Sequence, residues 1–144
     1  GDLMDTHDGN IIQYEDGGLY WYYSMGYQDC KLEHGLLPPR ECPGIYFPFG
    51  HCGFRTDHAL RVYTSPNLKD WTLVSEDALD QQTRSYGIYF RPKVVFNAAS
   101  EQYVLWINHL PKAFSPLRAY HKTGYAVATS SSPQGPFTVI KEKA

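Results

Sequence analysis

The chain has 144 residues, which is enough for one domain with a hydrophobic core, and its net charge of −2 gives no indication of nucleic acid or an anionic membrane as a partner. Twelve Tyr, seven Phe and three Trp raise the aromatic content to 15%. Such a composition suits sugar-binding clefts, although composition alone favours the simpler explanation of an all-β core rich in aromatic residues. No apolar run is long enough to predict a membrane-spanning helix.

Short β-branched or aromatic segments, bounded by Gly, Pro, Asn or Asp, recur along the whole chain. Sustained helical periodicity is absent, so we predict an all-β fold. The predicted strands are, in chain order, Ile11–Tyr14, Leu19–Met25, Leu60–Ser65, Trp71–Ser75, Lys93–Asn97, Tyr103–Asn108, Gly124–Ser130 and Phe137–Lys141.

The first four predicted strands are repeated in the last four. The hairpin of Ile11–Tyr22 matches that of Val94–Leu105 at a constant offset of 83 residues, and Val62–Val74 matches Val127–Ile140. The first set is longer because it contains a Cys-rich insertion at about 28–53. A repeated unit of four antiparallel strands predicts propeller blades, with blade one at about 8–76 and blade two at about 88–142.

Two blades do not close a propeller, because each blade buries its faces against its neighbours and about four to eight are needed. We therefore expect residues 1–144 to be part of a larger domain, or of an assembly whose partner covers two open apolar faces. The first residues, Gly1 to Gly9, carry neither a basic nor an apolar signal region, which predicts a mature form or an excised piece.

The three cysteines, Cys30, Cys42 and Cys52, all lie in the insertion. They lack C-x-x-C spacing, which argues against zinc and favours a structural disulfide in a secreted, extracellular protein. Cys30–Cys52 and Cys30–Cys42 are both open as pairings. The odd number leaves one thiol free or paired with a residue outside this chain.

Several segments together carry a resemblance to a known family. Asp8–Tyr23 resembles the opening blade of glycoside hydrolase family 43, and Val62–Trp71 resembles the end of that blade. Arg91–Asn97 followed by Tyr103–Trp106 resembles the second blade of the galactan 1,3-β-galactosidase-like branch, and Ser132–Phe137 resembles the end of it. The order and spacing of these segments agree with the family across nearly the whole chain outside the Cys-rich insertion.

The resemblance implies a five-bladed β-propeller with a sugar site at its centre, lined by the innermost strand of each blade. Enzymes of this family invert the configuration of galactan-, arabinan- or xylan-like substrates. They use one carboxylate to activate water and one carboxylic acid to protonate the leaving group, about 6.5–9.5 Å apart. A third acidic residue usually tunes the acid. No cofactor is implied.

Three residues near the predicted inner strands are candidates for the site. Asp8 is the candidate general base, since a carboxylate before an inner strand can accept a proton from water; the alternative is an ordinary turn Asp. Arg91 is its counterpart in the repeat and is a candidate for holding a hydroxyl or orienting a carboxylate, with an inter-blade ion pair as the alternative. His7 is a candidate for binding a sugar hydroxyl, with a structural loop role as the alternative.

Further substrate-binding candidates end the second strand of blade two. Asn108 and His109 are placed to reach the rim of the cleft. Trp106 is a candidate stacking platform for a pyranose, but strand alternation favours a place in the core.

Residues after the Cys-rich insertion complete the candidate set. Arg55, Asp57 and His58 are predicted to line the entrance to the site, with a solvated salt-bridge cluster as the alternative. His51 and Cys52 are close in sequence, but no third ligand at suitable spacing supports a metal site.

Two positions depart from the family pattern. The galactanase-like branch usually has an acidic residue where this chain has Phe90, and the wider family often has Asp where Lys93 stands. The general acid itself is expected in a third blade. Two hypotheses follow: a secreted glycoside hydrolase completed by further blades, or a non-catalytic glycan-binding or structural propeller. A protein-binding propeller of another family fits the repeat but not the family segments.

Overall fold

A computed structural model describes residues 4–26, 44–45, 54–55, 58–111 and 123–142. No helix in these ranges is long and apolar enough to cross a membrane. The strands are β1 (His7–Gln13), β2 (Tyr20–Gly26), β3 (Gly44–Ile45), β4 (Phe54–Arg55), β5 (Ala59–Ser65), β6 (Thr72–Ser75), β7 (Gly87–Asn97), β8 (Gln102–Pro111), β9 (Gly124–Ser130) and β10 (Thr138–Glu142).

The strands form two four-stranded antiparallel sheets, in the orders β1-β2-β5-β6 and β7-β8-β9-β10, and a small separate pair, β3-β4. All eight strands predicted from the sequence are present, and each sheet has the strand order of a propeller blade. The all-β propeller class predicted from the repeat is therefore confirmed. The two sheets cover residues 7–75 and 87–142 and are called blade one and blade two below.

The blades pack face to face through one apolar core. Tyr23 and Leu60 from blade one meet Val94, Ile107 and Phe137 from blade two, and all five are almost completely buried. The innermost strands β1 and β7 run side by side. Burial of these faces supplies the main driving force that holds the two blades together.

The segment that joins the blades is fixed along its length. The Asp77 side chain accepts hydrogen bonds from the backbone N–H groups of Leu60 and Leu79, although burial raises the pKa of this carboxyl above its ordinary value. Leu79 then forms a parallel bridge with Phe137, at the start of the outer strand of blade two. The Phe137 N–H donates to Ala78 O, and the Asp80 N–H donates to Phe137 O.

The far face of each blade is apolar and exposed. On blade two the exposed residues are Val95, Trp106, Tyr125 and Ile140, and on blade one they are Ile11 and Leu73. Trp106 and Tyr125 contact each other edge to face, with ring centroids 6.1 Å apart. Such patches are usual where a sheet packs against another element.

Two strands begin earlier than the sequence predicted. The residues Asp8-Gly9-Asn10 suggest a turn, and Pro92 suggests a strand boundary, but both positions lie inside strands. A β-bulge explains each case: the register shifts between His7 and Asn10 in β1, and between Phe90 and Lys93 in β7. A bulge leaves one residue out of the ladder, so it tolerates proline within a strand.

Candidate functional site

The start of the inner strands carries a pair of matched backbone irregularities. Asp8 in β1 and Arg91 in β7 have φ angles of 53° and 55°, in the left-handed region. Asp tolerates this region better than most residues, whereas Arg has no local compensation and pays roughly 1–2 kcal/mol. Strain of this kind at a bulge commonly marks a functional position.

The two irregular residues meet across the blade interface. Arg91 Nε lies 3.8 Å from Asp8 Oδ2, and both side chains face solvent, with exposed fractions of 66% and 45%. An ion pair this exposed contributes little to stability. This contact is an inter-blade ion pair, and it also places the Arg91 guanidinium where it can orient the Asp8 carboxylate.

His7 contacts Asp8 from the other side. His7 Nδ1 lies 3.7 Å from Asp8 Oδ2. Burial lowers the pKa of His7 below its ordinary value of 6.5, even though the carboxylates of Asp8 and Asp5 act in the opposite direction. His7 is therefore mainly neutral at pH 7, with one ring nitrogen that accepts and one that donates a hydrogen bond.

The His58 ring packs against the His7 ring. The two imidazoles meet edge to face, with ring centroids 5.1 Å apart and an angle of 71° between planes. His58 is only 2% exposed, and its Nδ1 lies 3.4 Å from Tyr89 O. The expectation that His58 lines an entrance is thus wrong for its own side chain, because packing against blade two encloses it; it positions His7 instead.

Gly9 allows the bulge of β1 to approach β2. A Cβ atom at this position would clash with the Tyr22 ring and with the carbonyl oxygen of Tyr23. Because a backbone oxygen within a strand cannot move aside cheaply, a residue with a side chain would displace the bulge. Gly9 therefore fixes where the neighbouring Asp8 carboxylate stands.

The two positions that depart from the family pattern have different surroundings. Phe90 is buried in the core, and the Arg91 guanidinium lies over its ring at 5.4 Å from the centroid. Lys93 is exposed and pairs with Trp106 across the β7–β8 ladder. Neither side chain is a carboxylate, so neither can tune a general acid by sharing its proton.

Two further polar residues, Asn10 and Asp5, fix the start of β1 through contacts with other strands. Asn10 Oδ1 accepts a hydrogen bond of 3.3 Å from the Val94 N–H, which ties β1 to β7 next to the bulge. Asp5 Oδ2 lies 3.5 Å from Arg61 Nη2 on β5. The polar residues that precede and include Asn10 could have indicated a functional position in the sequence. The contact of Asp5 could not be predicted, because its partner Arg61 is more than fifty residues away.

The candidates at the end of β8 separate onto two faces of the sheet. Asn108 pairs with Phe90 and Tyr125, on the face that also carries Trp106, and this face points away from blade one. Trp106 is 41% exposed there, so it lies outside the core between these two blades, on the face that points away from blade one. Alternation along β8 correctly predicts that one of its two faces is buried. The buried face carries Leu105 and Ile107, and Trp106 lies on the other.

His109 belongs to the buried face and is 2% exposed. Its ring stacks on Tyr89, with centroids 4.5 Å apart, and its Nε2 lies 3.4 Å from Ser85 Oγ. The prediction that His109 reaches the rim of a cleft is therefore wrong. Its side chain packs inside blade two, against the segment that joins the blades.

A hydrogen-bonded cluster next to His109 closes the end of blade two. Glu142 accepts hydrogen bonds of 2.8 Å from Tyr89 Oη and from Ser85 Oγ. Burial alone would raise the pKa of Glu142, but these hydrogen bonds outweigh it and lower the pKa. Burial raises the pKa of Tyr89 to about 12, so its hydroxyl stays a donor.

Other predicted residues fall where the structure gives little or no description. Arg55 is placed in β4 by its backbone, and nothing is described of its side chain. Asp57, His51 and the three cysteines Cys30, Cys42 and Cys52 lie outside the described residues. Within the described ranges, no group of three His, Cys, Asp or Glu side chains is arranged to hold a metal ion.

The candidate site is thus a rim built from the start of β1 and the bulge of β7. It offers an exposed carboxylate on Asp8, the guanidinium donors of Arg91 and a neutral imidazole on His7. A carboxylate so placed can accept a proton from water, and the guanidinium can bind hydroxyl groups, whereas Nε2 of His7 is buried.

Comparison with known proteins finds similarity at the level of structure. No family model matches the chain, and no curated protein sequence is significantly similar. A family-43 β-1,3-galactosidase solved with galactodeoxynojirimycin superposes with a TM-score of 0.63 at 24% identity, over 98% of this chain and 34% of that one. An exo-β-1,3-galactanase from Phanerochaete chrysosporium with β-1,3-galactotriose superposes with a TM-score of 0.65 at 22% identity, over 96% and 26%.

A third solved structure, an exo-β-1,3-galactanase from Clostridium thermocellum, gives a TM-score of 0.63 at 21% identity, over 98% of this chain and 24% of that one. At these identities the similarity establishes the fold. The chain spans 24% to 34% of the length of these three structures, so it corresponds to part of their architecture.

Proposed function

We propose that this two-blade unit forms part of an inverting glycoside hydrolase that acts on a galactan-type polysaccharide, with Asp8 as its general base. The observation that carries the proposal is the Asp8 carboxylate, exposed at the start of an inner strand, held in a left-handed backbone conformation and placed beside Arg91. The solved structures with this fold named above are a galactosidase and galactanases, which supports a galactan as substrate.

In the proposed reaction, Asp8 takes a proton from the water that attacks the anomeric carbon. Arg91 and His7 both contact Oδ2 of the carboxylate and hold it in place, and the exposed Arg91 guanidinium offers donors to substrate hydroxyls. The acid that protonates the leaving oxygen is a carboxyl group in another blade, about 6.5–9.5 Å from Asp8 so that water fits between them.

The test compares Asp8→Asn with the parent protein on β-1,3-galactan, measured as galactose released. We expect a loss of about 10²- to 10⁴-fold, the usual contribution of a general base, and an α-anomer as the first product seen by NMR of the parent. Asp16→Asn is the matched control, because Asp16 lies in the exposed β1–β2 turn at the opposite edge of blade one. Unchanged turnover in Asp8→Asn would remove Asp8 from the mechanism.

A second candidate function is glycan binding without hydrolysis. Phe90 and Lys93 favour it, because neither supplies the carboxylate that tunes the acid in related enzymes. If the parent protein binds β-1,3-galactotriose but releases no galactose, and Asp8→Asn binds it equally well, binding is the function and the hydrolase proposal fails.

The exposed far faces fit the same proposal. We infer that further blades cover the apolar residues around Trp106 and Tyr125 on blade two and around Ile11 on blade one, since the chain spans only part of its structural neighbours. An assembly partner is the alternative occupant. We also propose an extracellular location, supported by the polysaccharide substrate and by the three cysteines, whose pairing a thiol titration under denaturing conditions would measure.

A further inference from the structure

A second concave site lies at the edge of the blades opposite Asp8. A cleft of about 320 Å³ opens between the two blades, and both blades contribute to its walls. Its lining residues are Tyr14, Glu15, Gly18, Leu19, Trp21, Tyr103 and Pro133. Tyr14 follows Asp8 by six residues along a strand, which separates the two sites by roughly 20 Å.

Aromatic rings form the walls of this cleft. Tyr14 meets Tyr103 edge to face, with centroids 5.0 Å apart and an angle of 77° between planes. Trp21 stands on the other side of Tyr14, with centroids 6.4 Å apart and a tilt of 53°. Rings at such angles form a concave corner, not a closed stack, and each of the three side chains is only partly buried. Their faces therefore remain available to an apolar surface of a ligand.

Two polar groups of the cleft, the Tyr14 hydroxyl oxygen and the Glu15 carboxylate, are acceptors. The Tyr23 hydroxyl donates its proton to Pro133 O at 2.7 Å, so in the 3.0 Å contact between the two phenols Tyr14 is the donor. With its proton committed, the Tyr14 oxygen has only a lone pair left for a ligand. Burial raises the pKa of Tyr14 to about 12, so this arrangement does not ionise at physiological pH.

The charge of the cleft also favours a ligand without negative charge. Glu15 is exposed and supplies a carboxylate, an acceptor with no proton to donate. Among the lining residues that the structure describes there is no Lys, Arg or His, so an anionic ligand would meet the Glu15 carboxylate with no cationic side chain of these residues to offset it. A neutral ligand with hydroxyl donors and an apolar face fits these rings and acceptors.

We propose that this cleft is a second glycan site, which binds a neutral pyranose unit of a polysaccharide on the corner of Tyr14, Trp21 and Tyr103. The apolar C–H face of the sugar packs on the rings, and its hydroxyls donate to Glu15 and to the Tyr14 oxygen. The site anchors a chain at the edge of the propeller away from the candidate catalytic rim. It does not require hydrolysis, so it holds for either function proposed above.

The experiment uses the whole protein with Asp8→Asn to prevent turnover, and β-1,3-galactotriose as the probe. The indole N–H signals of the three tryptophans are followed by NMR during the titration. We expect the Trp21 signal to shift with saturation, while the Trp71 signal stays in place, because Trp71 lies on the far side of blade one and donates to Leu68 O. A trigalacturonate of equal length should leave the Trp21 signal unchanged.

Three variants assign the shift to the cleft. Tyr103→Leu should weaken the binding seen at Trp21 about tenfold, the order of one aromatic contact. Glu15→Gln, at an exposed position that should not affect folding, should weaken it severalfold. Arg91→Ala, at the other edge, should leave it unchanged.

Three results would overturn the proposal. The Trp21 signal could stay in place at saturating galactotriose, it could respond to the uronate, or its shift could disappear in Arg91→Ala. The first and third outcomes leave hydrolysis of galactan by the parent protein intact, so failure of this inference is distinct from failure of the proposed function.

Discussion

Asp8 and Arg91 occupy the same position in two equivalent strands, 83 residues apart, and contact each other with Asp8 Oδ2 3.8 Å from Arg91 Nε. Both have left-handed backbones, at φ 53° and 55°, and both sit in bulges that begin at equivalent residues. The repeat thus preserves a backbone feature while the charge of its side chain is reversed. Opposite charges consequently meet at the start of the two inner strands.

Replacing Arg91 tests the backbone conformation directly. Arg91→Gly should be more stable than Arg91→Ala by about 1 kcal/mol, because glycine adopts a positive φ without the steric penalty of a Cβ. Urea unfolding of both variants measures the difference. The control is the same pair at Lys93, an exposed strand residue two positions later, where Ala should be the more stable. Equal stability of the two Arg91 variants would contradict the left-handed assignment.

Gly9→Ala should destabilise the protein by about 1–3 kcal/mol, the usual cost of forcing extra volume into a packed site. The new methyl would clash with Tyr22 and with the Tyr23 carbonyl, so the bulge must move. Gly17→Ala is the matched control, since no atom lies within 4 Å of a Cβ there and only its φ of 73° opposes the change. The prediction fails if Gly17→Ala costs as much free energy of unfolding as Gly9→Ala.

His7 should titrate below its ordinary pKa of 6.5 in the folded protein, because burial disfavours its charged form. Since the folded pKa is lower than the unfolded one, His7 contributes stability that is present above pH 6.5 and is lost as pH falls below it. NMR of the imidazole signals measures this. Asp8→Asn should lower the pKa of His7 further, as it removes a charge that favours the protonated ring. A rise in that variant would be evidence against the contact.

Glu142 should make the protein acid-sensitive in a second window. Its pKa is lowered by hydrogen bonds from Ser85 and Tyr89 that outweigh burial, so its contribution is present above the ordinary value of 4.5 and is lost as pH falls below it. In Glu142→Gln the free energy of unfolding should depend less on pH below 4.5. Identical pH profiles for the parent and for Glu142→Gln would refute the hydrogen-bonded cluster.

The strands and their repeat could be predicted because they depend on local pattern. Alternating apolar and aromatic residues around Tyr20–Tyr22 and Tyr103–Leu105 specify strands wherever they pack, and the 83-residue offset is a property of the sequence alone. The bulges could not be predicted, because Asp8-Gly9 and Arg91-Pro92 have the local signature of turns and become parts of strands only through pairing with β2 and β8.

The candidate site could be predicted only in part, because some of its contacts follow from the repeat and others depend on residues distant in the sequence. Asp8, His7 and Arg91 come together because they lie at equivalent points of neighbouring inner strands, which the repeat indicates. The burial of His58 and His109 depends on partners in the other blade or in the joining segment: the Tyr89 carbonyl for His58 and Ser85 for His109. No periodicity in the sequence specifies those partners.

The bridge between Leu79 and Phe137 has a consequence for how the chain reaches its native state. Leu79 leaves the end of blade one, yet its backbone neighbour belongs to the outer strand of blade two, 58 residues later. The bonds of the joining segment with Leu60 need only blade one, but its bonds with Phe137 must wait during synthesis for most of blade two. Because contacts between residues so far apart in the chain form slowly, we expect the joining segment to pair with blade two only after Phe137 has folded into place.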